Sequence, residues 1–217
     1  MKFRKKKSDD RYDDQYDDKD EDRTLTEDIL DFVKVFAISA IVILLFVNIV
    51  AHPVTVMGRS MDPTLANGEY GFTNLLDLAI NGVNRGDVVV LDMEEVDGNR
   101  SYWVKRVIGL PGETIECKNG QVYIDGVALD ESAYLDEQFM EDSLKDYVNE
   151  FGYEYETGHF TSDFEPVTLG EDEYWVMGDN RMYSKDSRYP DVGPVKLEDI
   201  YGKGVLVLWP LQKIGVK

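Results

Sequence analysis

Hydrolytic chemistry needs a nucleophile and something to take its proton, and this sequence offers few of the usual partners. The single cysteine, Cys117, sits between Glu116 and Lys118 beside an Asn119-Gly120 turn. It reads as a strand-end residue, and alone it can form neither an intrachain disulfide nor a multi-cysteine metal site. The two histidines, His52 and His159, lie far apart in regions of different composition, which argues against a histidine-based triad and a two-histidine metal site. A serine paired with a neutral lysine is the main alternative. Three segments bear on it. In Gly58-Arg59-Ser60-Met61-Asp62-Pro63-Thr64-Leu65, Gly58 and Pro63 fix an unusual backbone path around Ser60; taken alone, such a serine also suits a turn or a helix cap. In Val104-Lys105-Arg106-Val107-Ile108-Gly109-Leu110-Pro111-Gly112-Glu113, Lys105 interrupts an apolar run, and strand alternation places it on the face of Trp103 and Val107. A lysine with a pKa of about 10.4 is charged at neutral pH, and burial against apolar groups lowers that value; a surface lysine on an edge strand is the competing reading. Met177-Gly178-Asp179-Asn180-Arg181-Met182-Tyr183-Ser184-Lys185-Asp186-Ser187-Arg188 is dense in small hydrogen-bonding residues, which suits a loop bracing a neighbouring site and equally an Asx-rich turn.

The elements that must position these segments read as mostly β. Gly86 to Met93, Ser101 to Leu110, Gln121 to Leu129, Glu173 to Asp179 and Gly202 to Trp209 are short runs rich in Val, Ile, Tyr and Trp, bounded by Gly, Asn or Asp. Asn119-Gly120 and Asp125-Gly126 are hairpin-turn dipeptides. From Tyr134 to Phe151, apolar residues at three- and four-residue spacing predict a short amphipathic helix, although the surrounding acidic segment also suits an extended ribbon. That segment, from Asp130 to Glu173, holds fifteen acidic residues and one lysine, and so carries most of the formal net charge of −20. It reads as a solvated insert. The overall charge repels phosphate backbones and argues against a nucleic-acid partner.

Upstream, residues 1–29 combine a basic cluster with an Asp-rich run and read as a disordered, charged cytoplasmic tail. Residues 30–52 form an apolar stretch whose Val35–Ala51 portion is uncharged, close to the roughly twenty residues that span a bilayer. It begins too far from the N-terminus for a cleaved leader, lacks a convincing small-x-small site after it, and is too uniformly apolar for an amphipathic core helix. It reads as a retained transmembrane anchor. Lys2, Arg4, Lys5, Lys6, Lys7 and Lys34 precede the span and the next basic residue is Arg59, which puts the N-terminus in the cytoplasm and the β domain, residues 53–217, outside the cell membrane.

The order Ser-Met-x-Pro-Thr, Lys-Arg-x-x-Gly-x-Pro-Gly and Gly-Asp-Asn-x-x-x-Ser-x-Asp-Ser-Arg after an N-terminal anchor resembles bacterial type I signal peptidases, with Gly86 to Val90 similar to a fourth block. The resemblance covers most of Gly58 to Leu208, and the single anchor is similar to the Gram-positive type. It implies a signal-peptidase-type β fold and a membrane-bound serine endopeptidase that removes signal peptides from secreted preproteins, with no cofactor or metal. It further implies Ser60 as nucleophile and Lys105 as general base. Ser184 orients that lysine, Asp186 and Arg188 form a supporting ion pair, and Gly178 and Asp179 belong to the same supporting block. Ser60 and Met61 fall where the family binds substrate and the oxyanion. One departure is Gly58, where some members carry a serine that helps form the oxyanion hole. The implied substrates have small residues before the cut, and Met57 and Met61 are expected near lipid. A self-cleaving Ser-Lys repressor-type peptidase shares the dyad but needs a soluble DNA-binding region. A catalytically inactive tethered binding module would be free to lose Ser60 or Lys105, and both are present.

Overall fold

The computed structural model describes residues 25–94, 98–152 and 158–217. The tail assigned to residues 1–29 therefore lies almost wholly outside the described residues. The chain divides near residue 43 into two units. Helix α1, Leu25–Ile49, begins with Glu27 and Asp28 in its first turn, where carboxylates complement the positive end of the helix dipole. At 1.5 Å per residue it is roughly 37 Å long, enough to cross a hydrocarbon core of about 30 Å. None of its residues is buried. Its one interior amide, Asn48, donates to the Leu44 carbonyl at 2.7 Å, so that polar group is satisfied within the helix itself. The helix ends earlier than the apolar stretch suggests: Ala51–Thr55 forms strand β1. Pro53 cannot continue a helix but is tolerated on an edge strand, and β1 is the terminal strand of its sheet.

The remaining elements follow in order: β2 Tyr70–Asn74, α2 Leu75–Asn81, β3 Val88–Glu94, β4 Arg100–Gly109, β5 Thr114–Lys118, β6 Gln121–Ile124, β7 Val127–Ala128, α3 Glu137–Phe151, β8 Phe164–Thr168, β9 Glu173–Met177, β10 Val195–Lys196, β11 Ile200–Trp209 and β12 Gly215–Val216. One antiparallel sheet runs β1-β2-β11-β3-β4-β9-β10 with β12 on β11, and a second runs β7-β6-β5-β8. In β3 the four residues Val88 to Leu91 are all buried. Val88 and Val90 pack with Val54, Met61, Leu65 and Val205, whereas Val89 and Leu91 pack with Val107, Val176 and Ile200. A strand covered on both faces reads as a continuous apolar run, and β4 lies beside it with Lys105 opposite Val89. The second sheet closes over Ile115, Cys117 and Val122 against Ile108, Trp175 and Met177.

The run from Gln121 to Leu129 is divided into β6 and β7 at Asp125 and Gly126, whose φ angles of 50° and 78° turn the chain back. Asn119 and Gly120 make the equivalent left-handed pair at the preceding hairpin. Helix α3 begins three residues later than Tyr134, because Asp136 caps it by accepting from the Phe139 N–H at 2.8 Å. It ends at Gly152, which is left-handed with φ 75°. Apolar side chains of α3 pack against Leu135, Phe160 and Met182, so the acidic insert holds a docked helix. Cys117 is buried, and burial pushes its thiol up to about 12, in keeping with a structural role.

Candidate active site

Ser60 lies in the loop between β1 and β2. The loop is closed at its base by the Val56 N–H donating to the Glu69 carbonyl at 2.8 Å and the Gly68 N–H to the Val56 carbonyl at 2.9 Å. Gly58 has φ 85°, a conformation that disfavours any residue with a side chain; its N–H donates to Asn67 Oδ1 at 2.9 Å. Met61 and Leu65, exposed by 1% and 0%, anchor the loop in the core. The expectation that Met61 touches lipid is therefore corrected: its side chain is committed to the core, while Met57 is 85% exposed. Ser60 itself is half-buried. Its carbonyl accepts from the Asn180 N–H at 3.1 Å, which ties the serine loop to the third motif.

Lys105 projects from the middle of β4, an interior strand between β3 and β9, and is only 4% exposed. Among the described residues it has no salt bridge and no hydrogen bond; its Nζ lies 5.7 Å from the centre of the Trp103 ring. Burial dominates its electrostatics, with Asp186 opposing and Arg188 assisting, and brings its pKa from the ordinary 10.5 down to about 8. Ser60 and Lys105 line one cavity of about 320 Å³ together with Val56, Met57, Met61, Tyr102, Trp103, Val104 and Lys185. The two side chains are not hydrogen-bonded to each other; such contacts commonly tighten only when substrate is present. Size does not single out this cavity, since others of about 410 and 620 Å³ exist. Their arginines, Arg106 and Arg85, are already engaged with carboxylates, and chemistry favours the smaller one.

The third motif closes behind these two residues. Gly178 permits the approach: a Cβ there would lie 2.3 Å from Ser184 Oγ and 2.4 Å from the Ser60 carbonyl oxygen. Ser184 is buried, and its hydroxyl makes no well-formed hydrogen bond among the described residues; Asp186 lies near enough for the hydroxyl to help hold that carboxyl down. Asp186 accepts from the Gly178 N–H at 2.9 Å and is gripped in bidentate fashion by Arg188, Nε to Oδ1 at 2.8 Å and Nη2 to Oδ2 at 2.9 Å. Burial pushes the Asp186 carboxyl up, and Arg188, helped by the Ser184 hydroxyl and the Gly178 N–H, more than offsets that and holds it below the ordinary carboxylate value. Asp179 belongs to a different pair. It accepts from Arg106 Nε at 2.8 Å, Arg106 Nη2 at 2.7 Å and Thr64 Oγ1 at 2.6 Å. The buried Arg181 bonds to Glu131, to the Gly178 carbonyl and to Thr161.

Residues 29–209 match the family described as signal peptidase, peptidase S26. This chain belongs to that family. It is 38% identical over 188 residues to signal peptidase I S of Bacillus subtilis, covering 87% of this chain and 93% of that protein. It is 36% identical over 187 residues to signal peptidase I P of B. subtilis subsp. natto, covering 86% and 92% respectively. A crystal structure of a signal peptidase I from Enterococcus faecalis aligns at 31% identity with 56% of this chain and 95% of its own, at a TM-score of 0.40. Family membership makes the protein a serine endopeptidase, hence a hydrolase.

Within this signal peptidase, sequence reasoning overlooked Arg106, Thr64, Arg181 and Glu131. Arg106 follows Lys105 in β4 and so points to the opposite face. Alternation places it, but nothing local names Asp179, 73 residues away, as its partner. Glu131 was absorbed into the acidic count, whereas its carboxylate serves a guanidinium with no exposed surface.

Proposed function

We propose that this protein removes N-terminal signal peptides from secreted preproteins, with Ser60 as nucleophile and Lys105 as general base. The observation that carries the reading is a buried lysine, without hydrogen-bond or ion-pair partner among the described residues and with a depressed pKa, on the cavity that Ser60 also lines. Neutral Lys105 takes the Ser60 hydroxyl proton as Oγ attacks the scissile carbonyl. The oxyanion that forms is assigned to the Ser60 N–H, which makes no hydrogen bond among the described residues and is therefore available as a donor. With Gly58 held at positive φ, the serine that some relatives are expected to use there has no counterpart. The Lys105 ammonium returns its proton to the departing amine, leaving an acyl-enzyme. Lys105, neutral again, draws a proton from water as that water attacks the ester and passes it to Ser60 Oγ as the ester C–O bond breaks, which releases the acid and restores both the Ser60 hydroxyl and the neutral lysine.

Ser184 is assigned to hold the Lys105 side chain; its hydroxyl is buried beside Asp186 and within reach of the Gly178 backbone that also contacts the serine loop. The Asp186–Arg188 pair fixes the loop that carries Ser184, and Asp179 and Gly178 hold that loop against β4 and the serine loop. Met61 lines the cavity, whose apolar wall suits substrates with small residues before the cut. Helix α1 is assigned as a membrane anchor with the N-terminus cytoplasmic, on the strength of its length and the basic residues before it. The exposed Met57 at the cavity suits contact with a lipid surface. The test uses the full chain in detergent with a preprotein substrate. Ser60→Ala and Lys105→Ala are each expected to abolish cleavage, the double variant being hardly worse than either. Substantial cleavage by a folded Lys105→Ala protein refutes the assignment of the base.

A further inference from the structure

The acidic insert reaches the nucleophile loop. Arg59, the residue before Ser60, extends toward α3, where its Nη2 lies 3.6 Å from Asp146 Oδ2 and its Nη1 3.7 Å from Glu150 Oε2. Its guanidinium stacks over the Tyr183 ring with the carbon 4.2 Å from the centroid. Tyr183 in turn donates its hydroxyl to Glu150 Oε2 at 2.9 Å, and its ring meets Tyr147 and Phe151 of the same helix at centroid distances of 5.7 and 6.4 Å. One further carboxylate, Asp62 in the serine loop itself, stands 3.8 Å from Arg59 Nε. Arg59 and Tyr183 are the immediate chain neighbours of Ser60 and Ser184. A single helical turn, Asp146 to Glu150, therefore touches the residues flanking both serines of the site.

We infer that α3 is a brace for catalysis: Arg59, Glu150 and Tyr183 act as positioning residues that fix the serine loop relative to the third motif. The inference rests on the assignment of Ser60 as nucleophile. The helix has what a brace requires. It is capped at both ends by Asp136 and Gly152, packed through its apolar face onto Met182 and Phe160, and the insert is fastened at its base by the buried Arg181 to Glu131 and Thr161. The Arg59 contacts are half-exposed, so they contribute little to global stability. What they restrict is the path of a loop already held on its other side by the Ser60 carbonyl bond to Asn180. A displacement of that loop on the ångström scale is costly to a reaction that depends on attack geometry.

The experiment compares the full-length protein in detergent with Arg59→Ala, Arg59→Lys, Glu150→Gln, the Arg59→Ala/Glu150→Gln double variant and the control Glu141→Gln, whose exposed carboxylate pairs, among the described residues, with Lys145 of the same helix. Cleavage kinetics are read beside amide hydrogen exchange of the segment from Met57 to Asp62. With Arg59→Ala, kcat falls about three- to tenfold, the scale of a few exposed ion pairs and a stacked guanidinium, while KM stays within about twofold because the cavity wall is intact. Exchange in the segment quickens and the thermal midpoint is unchanged. Arg59→Lys restores part of kcat, the double variant is no worse than Arg59→Ala, and Glu141→Gln matches wild type. Unchanged kcat in Arg59→Ala beside an active wild type overturns the brace, as does unchanged exchange. A wild type that cleaves nothing overturns the catalytic assignment instead, and the exchange measurement then decides by itself whether α3 restrains the loop.

Discussion

Replacing Lys105 by methionine separates what this residue does for the reaction from what it costs the fold. Methionine matches the length of the lysine stem and removes the ammonium, so the cavity wall keeps its shape. Moving a lysine from 10.5 to about 8 by burial corresponds to about 3 kcal/mol against the charged form at neutral pH. The sign is fixed by proton counting. Between pH 8 and 10.5 the unfolded chain binds more protons at this site than the folded one, so wild-type stability rises across that window. Below pH 8 both states are protonated and the penalty is present in full. Lys105→Met is therefore expected to be more stable than wild type by up to about 3 kcal/mol at pH 7, with the advantage fading to nothing by about pH 10.5, while cleavage is lost. Denaturant unfolding of the full chain in detergent, followed by the near-ultraviolet signal of Trp103 and Trp175 at a series of pH values, measures the difference; other titrating groups are common to both proteins and cancel. The same pKa governs the wild-type rate: the neutral fraction of Lys105 is about a tenth at pH 7 and about nine-tenths at pH 9, so kcat/KM should climb roughly tenfold over that range and level off. A Lys105→Met protein that is less stable at pH 7, or whose stability difference ignores pH, would refute the account of a buried lysine whose charged form is disfavoured by desolvation.

Three further outcomes follow from the geometry. Gly178→Ala forces a methyl group to within 2.4 Å of the Ser60 carbonyl oxygen and closer still to Ser184 Oγ; a loss of about 1–3 kcal/mol in denaturant unfolding and at least a tenfold fall in kcat are expected, and undiminished cleavage would contradict the packing described. Asp179→Asn leaves the Arg106 guanidinium buried without its counter-ion and should cost about 3–5 kcal/mol, read as a lowered midpoint in urea; a loss below 1 kcal/mol would show the pair to be dispensable. For the membrane arrangement, protease added to intact spheroplasts should degrade the β domain and spare the N-terminal tail, and a protected domain would reverse the proposed orientation.

The family was legible in the sequence through the order and spacing of the motifs that carry Ser60, Lys105, Ser184, Asp186 and Arg188, whereas the burial of Lys105 was not, since a lysine interrupting an apolar run suits an edge strand equally until β3 and β9 are seen to flank β4. The longer strands were legible because Val88 to Leu91 and Val104 to Ile108 carry strong β composition. Strand β1 was not, since Ala51-His52-Pro53 looks like the tail of the apolar helix; its pairing with β2, Ala51 to Asn74 and Thr55 to Tyr70, is a tertiary fact with no local signature. The same holds for Arg106 with Asp179 and Arg59 with Glu150. A charged residue announces that it needs a partner, but the identity of that partner depends on how the sheets fold together. The acidic insert misled for a related reason: counting charge predicts solvation, and it passes over the one glutamate, Glu131, that is nearly buried against Arg181.

Lys105 and Arg106 are neighbours in β4, and the pleat sends one to the cavity that Ser60 also lines and the other into the Asp179 pair. The tasks proposed for them are opposite, since a general base must lose its proton and the partner of a buried carboxylate must stay charged, which a guanidinium always does. A shift of β4 by a single residue against β3 would bring either Arg106 into the place of Lys105, presenting a permanent cation to Ser60, or Lys105 into the place of Arg106 beside Asp179, and in each case a valine would fill the other place. The proposed reaction therefore depends on the register of this strand as well as on its residue types: point substitutions at its exposed Arg100 end are expected to be cheap, whereas an insertion or deletion that slips its register is expected to inactivate the enzyme with every catalytic side chain still present.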